Sequence, residues 1–226
     1  MSSLIQIWTA TLDREPAQLA QFHALLDAEE KARADRFLRE QARTRFTVSR
    51  GLLRIVLGQL LERDPASFAF TYGYNGKPEL AEKTGLQFNV SHSGKRWYLA
   101  VAEGRRLGVD VERVRPDFAT FEIANRFFAP REVADLTTFP AEERATAFFR
   151  CWTRKEAFIK AIGAGLGFPL HEFVVSLGES AELRSISGSI DAAREWSMEA
   201  LIAPEGYCAA LAVEGPVSEV EYAILE

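Results

Sequence analysis

The chain has 226 residues, 47% of them hydrophobic, and its 27 basic against 32 acidic side chains leave a net charge of −5. That size allows a substantial core in one domain or two, and the acidic balance excludes a generic nucleic-acid binder. No apolar run approaches the roughly 20 residues of a membrane span, and Met1-Ser2-Ser3-Leu4 has neither a basic n-region nor a long apolar run, so a cytoplasmic protein with no membrane partner is expected.

A strand over residues 5–9 leads through a turn to helical patterns over 16–38 and 41–61, rich in Ala, Leu, Glu and Arg. Strands follow near Ala69, Phe88, Trp97 and Val109, then helical patterns over 121–128, 130–136 and 142–162, and strands near Phe173, Trp196, Cys208 and Val220. The order of elements repeats. A weak echo accompanies it: Ala34-Asp35-Arg36-Phe37-Leu38 resembles Ala124-Asn125-Arg126-Phe127-Phe128, and Ser49-Arg50 before an apolar helix parallels Thr153-Arg154 before another. Cys151 and Cys208 sit among apolar neighbours and read as small buried residues of a reducing compartment, with a disulfide between them as the open alternative.

The densest chemistry lies in Leu107-Gly108-Val109-Asp110-Val111-Glu112. On a strand, Asp110 and Glu112 point to the same side about 7 Å apart, and a divalent ion can sit between them. Farther on, Trp152-Thr153-Arg154-Lys155-Glu156-Ala157-Phe158-Ile159-Lys160 reads as a helix whose apolar face leaves Glu156 and Lys160 one turn apart on the other side. Oxygen ligands without a nearby His or Cys suit a hard ion such as Mg²⁺ that shares a phosphate. Taken alone, the acids also read as strand-end charges facing solvent, and the helical pair as an ordinary i,i+4 contact. Upstream, Phe88-Asn89-Val90-Ser91-His92-Ser93-Gly94 reads as a strand running into a turn that presents Ser91, His92 and Ser93. In Gly73-Tyr74-Asn75-Gly76-Lys77-Pro78 the glycines let backbone approach a ligand, and Lys77-Pro78 fixes an extended corner. Gly163-Ala164-Gly165-Leu166-Gly167 follows a helix instead of a strand, so it reads as a helix C-terminal cap and turn and not as a dinucleotide loop.

In chain order, Gly76-Lys77-Pro78, Phe88 to Ser93, Gly108 to Glu112, Arg126-Phe127-Phe128 with Glu132, and Trp152 to Lys160 followed by Gly163 and Gly165-Leu166 resemble the 4'-phosphopantetheinyl transferases. The likeness is to the long, two-lobed class that activates carrier proteins of peptide, polyketide and fatty-acid synthases, and it covers about residues 30–175. It implies an α+β, pseudo-twofold fold: two lobes, 1–107 and 108–226, each a small antiparallel sheet packed with helices, with the active site in the cleft between them. The first lobe would hold the phosphates and adenine of coenzyme A, and the second the metal and catalytic residues.

The implied reaction moves 4'-phosphopantetheine from coenzyme A to a serine of an apo acyl or peptidyl carrier protein and releases adenosine 3',5'-bisphosphate. Asp110, Glu112 and Glu156 would hold Mg²⁺, with Mn²⁺ as the alternative, and Lys160 would neutralise the leaving phosphate. Glu156, directly or through a water on the ion, would take the serine proton, and Glu132 would support the acids from behind. Ser91 and His92 would bind a coenzyme A phosphate, Lys77 and Pro78 would flank adenine, and Lys31 and Arg45 would meet the 3'-phosphate, although on sequence alone these two also read as solvated helix charges. Phe121, Phe127 and Phe128 read as core first and as a carrier groove second. Two positions depart from the family: Ala164, where relatives often carry a charge, and Ala34, which stands at the family's basic position one turn after Lys31 and leaves Arg33 or Arg36 to substitute. A monomer is expected, since one chain supplies both sides of the cleft. The other readings are a non-catalytic coenzyme A or carrier-binding module of the same fold, and a Mg²⁺-dependent phosphohydrolase.

Overall fold

The structure, a computed structural model, describes residues 4–73 and 76–225. Met1 to Ser3, and Tyr74 and Asn75 of the glycine turn, lie outside them, as does the Leu166 side chain. The first half contains β1 (Leu4–Thr11), α1 (Pro16–Leu25), α2 (Ala28–Asp35), α3 (Glu40–Leu61), β2 (Phe70–Tyr72), β3 (Pro78–Leu80), β4 (Leu86–Ser93) and β5 (Arg96–Glu103). The second contains β6 (Leu107–Arg113), α4 (Phe121–Phe127), α5 (Pro130–Thr137), α6 (Arg144–Ile162), β7 (Phe173–Val175), β8 (Leu183–Ile186), α7 (Ile190–Arg194), β9 (Trp196–Ala200), β10 (Tyr207–Glu214) and β11 (Glu219–Leu225).

Each half runs strand, three helices, a short hairpin and two further strands, the second half adding α7 after its hairpin, and the antiparallel orders β4-β5-β1 and β9-β10-β6 match strand for strand. The α+β architecture with a repeated half is therefore as expected. The sequence echo is not its register, however. Ala34 to Leu38 straddles the end of α2, whereas Ala124 to Phe128 straddles the end of α4, which corresponds by order to α1. The closing strand also departs from the expected division, because β11 pairs in parallel with β1 and extends the first sheet.

Local chemistry explains where the helices stop. The helix expected over 16–38 is divided by Asp27, whose carboxylate accepts from the Glu30 N–H at 2.8 Å while Glu30 accepts from the Asp27 N–H at 3.2 Å, a reciprocal cap that begins a new helix. In α5, Pro130 opens the first turn and Glu132 reaches back to the Ala129 N–H at 2.7 Å. Gly163, at φ +70°, ends α6 in the left-handed region, as its sequence predicts.

The halves stack as helix, sheet, sheet, helix. Val48, Leu52, Val56 and Leu57 of α3 cover one face of the first sheet at Phe88, Trp97, Leu99 and Val101. The opposite face, carrying Ile5, Ile7, Tyr98 and Ala100, packs on Val109, Val111, Ala209 and Leu211 of the second sheet. Beyond that sheet Ala157, Phe158 and Ala161 of α6 close on Ala210 and Ala212. The edge of β6 is met by β4 through side chains: Asn89 Oδ1, Ser91 Oγ and Ser93 Oγ accept from the N–H groups of Val109, Val111 and Arg113 at 2.9, 3.3 and 3.1 Å. Amides that a neighbouring strand would normally bind are thereby satisfied across the joint between sheets.

Candidate active site

Alternation along β6 sends Leu107, Val109 and Val111 into the core between the sheets and Gly108, Asp110 and Glu112 toward α6. At Gly108 the helix comes very near. A Cβ there would stand 2.2 Å from the Ala157 carbonyl oxygen and 2.5 Å from the Ala161 nitrogen, so only glycine permits the approach. One turn of α6 then sets Glu156 and Lys160 over the acids of the strand.

Lys160 Nζ lies 2.5 Å from Asp110 Oδ1, 3.2 Å from Ser91 Oγ and 3.4 Å from the Val109 carbonyl. Ser91 Oγ donates to Asp110 Oδ1 at 2.8 Å, and Ser93 Oγ donates to Glu112 Oε2 at 2.6 Å. Asp110 is 3% exposed, and its Oδ2 is buried without a hydrogen-bond partner among the described residues. Burial, followed by the charges of Asp110 and Glu112 against the opposing pull of Lys160, lifts the Glu156 carboxyl to about 7. Burial also raises Glu112, with the Ser93 hydrogen bond opposing it and Asp110 adding to it. Three acids against one lysine in a half-dry recess make a site short of positive charge.

The donor chemistry fits a hard divalent cation: oxygen ligands, an Asp110 Oδ2 buried without a partner among the described residues, and two carboxyls whose protons are held by burial first and by the charge of Asp110 second. As they stand the carboxylates flank that point without enclosing it, since among the described residues no three His, Cys, Asp or Glu side chains are set around one metal. Glu112 and Glu156 would have to turn toward it.

A cavity of about 420 Å³ opens beside the acids, lined by Gly76, Lys77 and Pro78, by Asn89 and Val90 of β4, and by Glu156, Lys160 and Gly163. The resemblance-based candidates Lys77, Pro78, Glu156 and Lys160 therefore share one recess. Lys77 is spoken for at its tip. Its ammonium donates to the Leu107 and Lys160 carbonyls at 3.2 and 3.3 Å, and burial lowers its pKa against the opposing charge of Glu79. Ser91 and His92 belong to β4 and not to a turn, so alternation sends them to opposite faces. Expected as a phosphate ligand, Ser91 is buried with its hydroxyl committed to Asp110, Val111 and Lys160. His92 is exposed, and lost solvation on its protein side together with the charges of Lys160 and Arg45 lowers its pKa, leaving a neutral imidazole at neutral pH.

Arg45 on α3 and Lys31 on α2 are both half-buried. Ala34 is 1% exposed, and Arg33 lies over the rings of Phe46 and Tyr72 at 5.3 and 5.8 Å. Glu132 is fully buried away from the recess and pairs with Lys155 Nζ at 2.8 Å. The expected role of supporting the acids is thus replaced by one of anchoring α6. Phe128 is core, Phe127 packs edge-on to Trp152, and Phe121 is 39% exposed, so the aromatic run divides between the two readings. Cys151 and Cys208 are both free and buried, which removes the disulfide alternative.

The contributions of Asn89 and Ser93 do not emerge from reading the segment as a turn. Their signal is a polar residue at every second position beside apolar Phe88 and Val90, the pattern of a strand with one face committed to another sheet.

Among the described residues no helix is long and apolar enough to cross a membrane. The profile of the 4'-phosphopantetheinyl transferase superfamily matches residues 106–212, and that of the N-terminal region of 4'-phosphopantetheinyl transferase matches residues 8–104. The 4'-phosphopantetheinyl transferase HetI of Nostoc sp. is 38% identical over 220 residues, an alignment spanning 95% of this chain and 90% of that protein. A putative 4'-phosphopantetheinyl transferase of Synechocystis sp. is 39% identical over 171 residues, 75% of this chain and 69% of its own. The 4'-phosphopantetheinyl transferase Sfp of Bacillus subtilis is 30% identical over 181 residues, spanning 79% and 80%.

Proposed function

The chain belongs to the 4'-phosphopantetheinyl transferase superfamily, and we propose that it transfers 4'-phosphopantetheine from coenzyme A to a serine of an apo acyl or peptidyl carrier protein, releasing adenosine 3',5'-bisphosphate, with Mg²⁺ at its acids. The observation that carries the reading is the meeting of Asp110, Glu112, Glu156 and Lys160 beside the cleft, with Asp110 Oδ2 buried and without a partner among the described residues.

The serine oxygen forms a bond to the β-phosphorus of coenzyme A as the pyrophosphate bridge breaks, so negative charge grows on the departing bisphosphate. Mg²⁺, or Mn²⁺ in its place, supplies Lewis-acid charge against the pyrophosphate when bound by Asp110, Glu112 and Glu156. Lys160 sits 28% exposed at the cleft, near enough to exchange Asp110 for a phosphate oxygen. Glu156, itself or through a water, takes the serine proton, the water route being favoured because a carboxylate that also holds a cation is a weak base. His92, Arg45 and Lys31 are assigned to the coenzyme A phosphates, and Pro78 with the stem of Lys77 to the adenine. Ser91 is assigned to holding Asp110 instead. The coenzyme A side is residues 1–107 and the metal side 108–226, except that β11 completes the first sheet. We assign a cytoplasmic monomer, on the support of two free buried thiols and of a cleft whose walls come from one chain.

The test is the intact mass of a purified apo carrier protein after incubation with this protein, coenzyme A and Mg²⁺. A gain of about 340 Da that disappears with EDTA is expected from one added phosphopantetheine. No gain across carriers of all three synthase classes, with coenzyme A binding intact, would favour the binding module, and pantetheine phosphate freed without a carrier would favour the hydrolase.

The ion is also expected to compete with a proton. Glu156 ligates only as carboxylate, so metal binding below its pKa of about 7 must expel that proton. Apparent Mn²⁺ affinity should rise by about tenfold per pH unit between roughly pH 5.5 and 6.5 and flatten above 8. Calorimetric titration in buffers of different ionisation enthalpy reports the released proton, and equal affinity at pH 6 and 8 would exclude Glu156 as a ligand.

A further inference from the structure

Asn89, Ser91 and Ser93 form a ladder in which one side chain per rung takes the place of a strand carbonyl for β6. The two hydroxyl rungs do something the amide rung does not. While accepting from the backbone N–H that follows an acid, each serine donates to the carboxylate of that same acid. Ser91 joins the Val111 amide to Asp110, and Ser93 joins the Arg113 amide to Glu112. A hydroxyl has one proton to give, and with its oxygen already engaged by a backbone amide the direction of that donation is set. Each carboxylate is thus referenced to the backbone of its own strand through a two-bond bridge from the neighbouring sheet.

The two rungs differ in what else they hold. Ser91 is buried and also accepts from Lys160, so its loss would disturb several groups together. Ser93 is half-buried at the outer end of the ladder, beside exposed Arg113, where a freed amide can turn to water. Its remaining interaction is the 2.6 Å bond to Glu112 Oε2, which leaves Oε1 as the oxygen free to face a cation.

Building on the metal reading above, we propose that Ser93 is a positioning residue that orients Glu112 for the divalent ion. Outer partners of this kind commonly change metal affinity by about 10- to 100-fold. The experiment is Mn²⁺ binding by water-proton relaxation, without coenzyme A or carrier, on wild type, Ser93→Ala, Ser93→Thr, Glu112→Ala and the Ser93→Ala/Glu112→Ala pair.

Ser93→Ala is expected to weaken Mn²⁺ about tenfold and Ser93→Thr, which keeps the hydroxyl, to stay within about twofold of wild type. The urea midpoint and coenzyme A binding in EDTA should remain at wild-type values in both. In the Glu112→Ala background, Ser93→Ala should cost nothing more. Wild-type Mn²⁺ affinity in Ser93→Ala, or an undiminished loss in the Glu112→Ala background, overturns the proposal while leaving the metal reading in place. If Glu112→Ala itself binds Mn²⁺ like wild type, the metal reading fails and this inference with it. Ser93→Cys, a weak donor of similar size, is read by the same criteria should the alanine variant not fold.

Discussion

Asp110→Asn is expected to lower the transfer rate by about 10³-fold while leaving the fold intact, because it keeps the shape of the side chain and removes the charge on which the site converges. Asp110 is the deepest of the three acids, and its Oδ1 already carries Lys160 and Ser91. Its Oδ2 is buried with no hydrogen-bond partner among the described residues, and within the site it is the atom best placed to take a cation. An amide nitrogen in that position would repel a cation and could not balance Lys160. Stability should change little by comparison, since the Lys160 side chain is 28% exposed and its ammonium can swing to water. A second readout separates charge from packing. Asp110 is among the groups that raise Glu156, so in the metal-free protein its neutralisation should lower the Glu156 pKa from about 7, which carboxyl titration by NMR reads directly. Turnover within a few-fold of wild type would remove Asp110 from the reaction. Lost turnover with an unmoved Glu156 titration would mean that Asp110 does not act on Glu156 through its charge.

Much of this site is legible in the sequence, for physical reasons that also mark where reading stops. Asp110 and Glu112 share a face because a strand has period two, and Glu156 lies over Lys160 because a helix has period 3.6, so local geometry is enough. That α6 crosses β6 at Gly108 is not local, and a glycine within a strand signals close approach without naming what approaches. The strand 219–225 is readable as a strand, but its parallel pairing with β1 joins opposite ends of the chain, and no pattern in either segment specifies it. The division of the first long helix was legible, since Asp27-Ala28-Glu29-Glu30 carries the acid-to-acid spacing of a reciprocal cap. Ser91, His92 and Ser93 look like turn residues by composition. They become strand residues because the neighbouring sheet supplies amides for the serines to accept from, which is tertiary context overriding propensity.

Lys155→Met is expected to cost about 3–5 kcal/mol of stability, the range for removing one partner of a buried ion pair. On sequence Lys155 is one more charge in a charged helix, yet its side chain is fully buried. Its ammonium meets Glu132 Oε2 at 2.8 Å and the Leu170 and Phe173 carbonyls at 2.7 and 2.6 Å. Glu132 in turn accepts from the Ala129 and Val175 N–H groups at 2.7 Å each, so the pair ties α5, α6 and β7 together. Without the lysine, Glu132 keeps its two amide donors but loses its counter-charge. Burial already raises the Glu132 pKa, so the carboxyl would take up a proton and spoil one of those bonds. The first half of the molecule builds the same device from other residues. Arg54 is buried against Glu30, which caps α2 as Glu132 caps α5, and it donates to the Pro65 and Phe68 carbonyls. That recurrence argues for a fold-holding part present in both halves, whereas the acids of the cleft occur once. For a chain of this size the loss corresponds to a fall in Tm of about 10 °C, to be checked by urea unfolding as well as by heat. Glu132→Gln/Lys155→Met should lose less than the sum of its single variants, because the lysine no longer leaves a buried charge behind. If Lys155→Met unfolds within about 1 kcal/mol of wild type, the pair is not what fixes α6, and the orientation of Glu156 and Lys160 over the strand must come from the close packing at Gly108 instead.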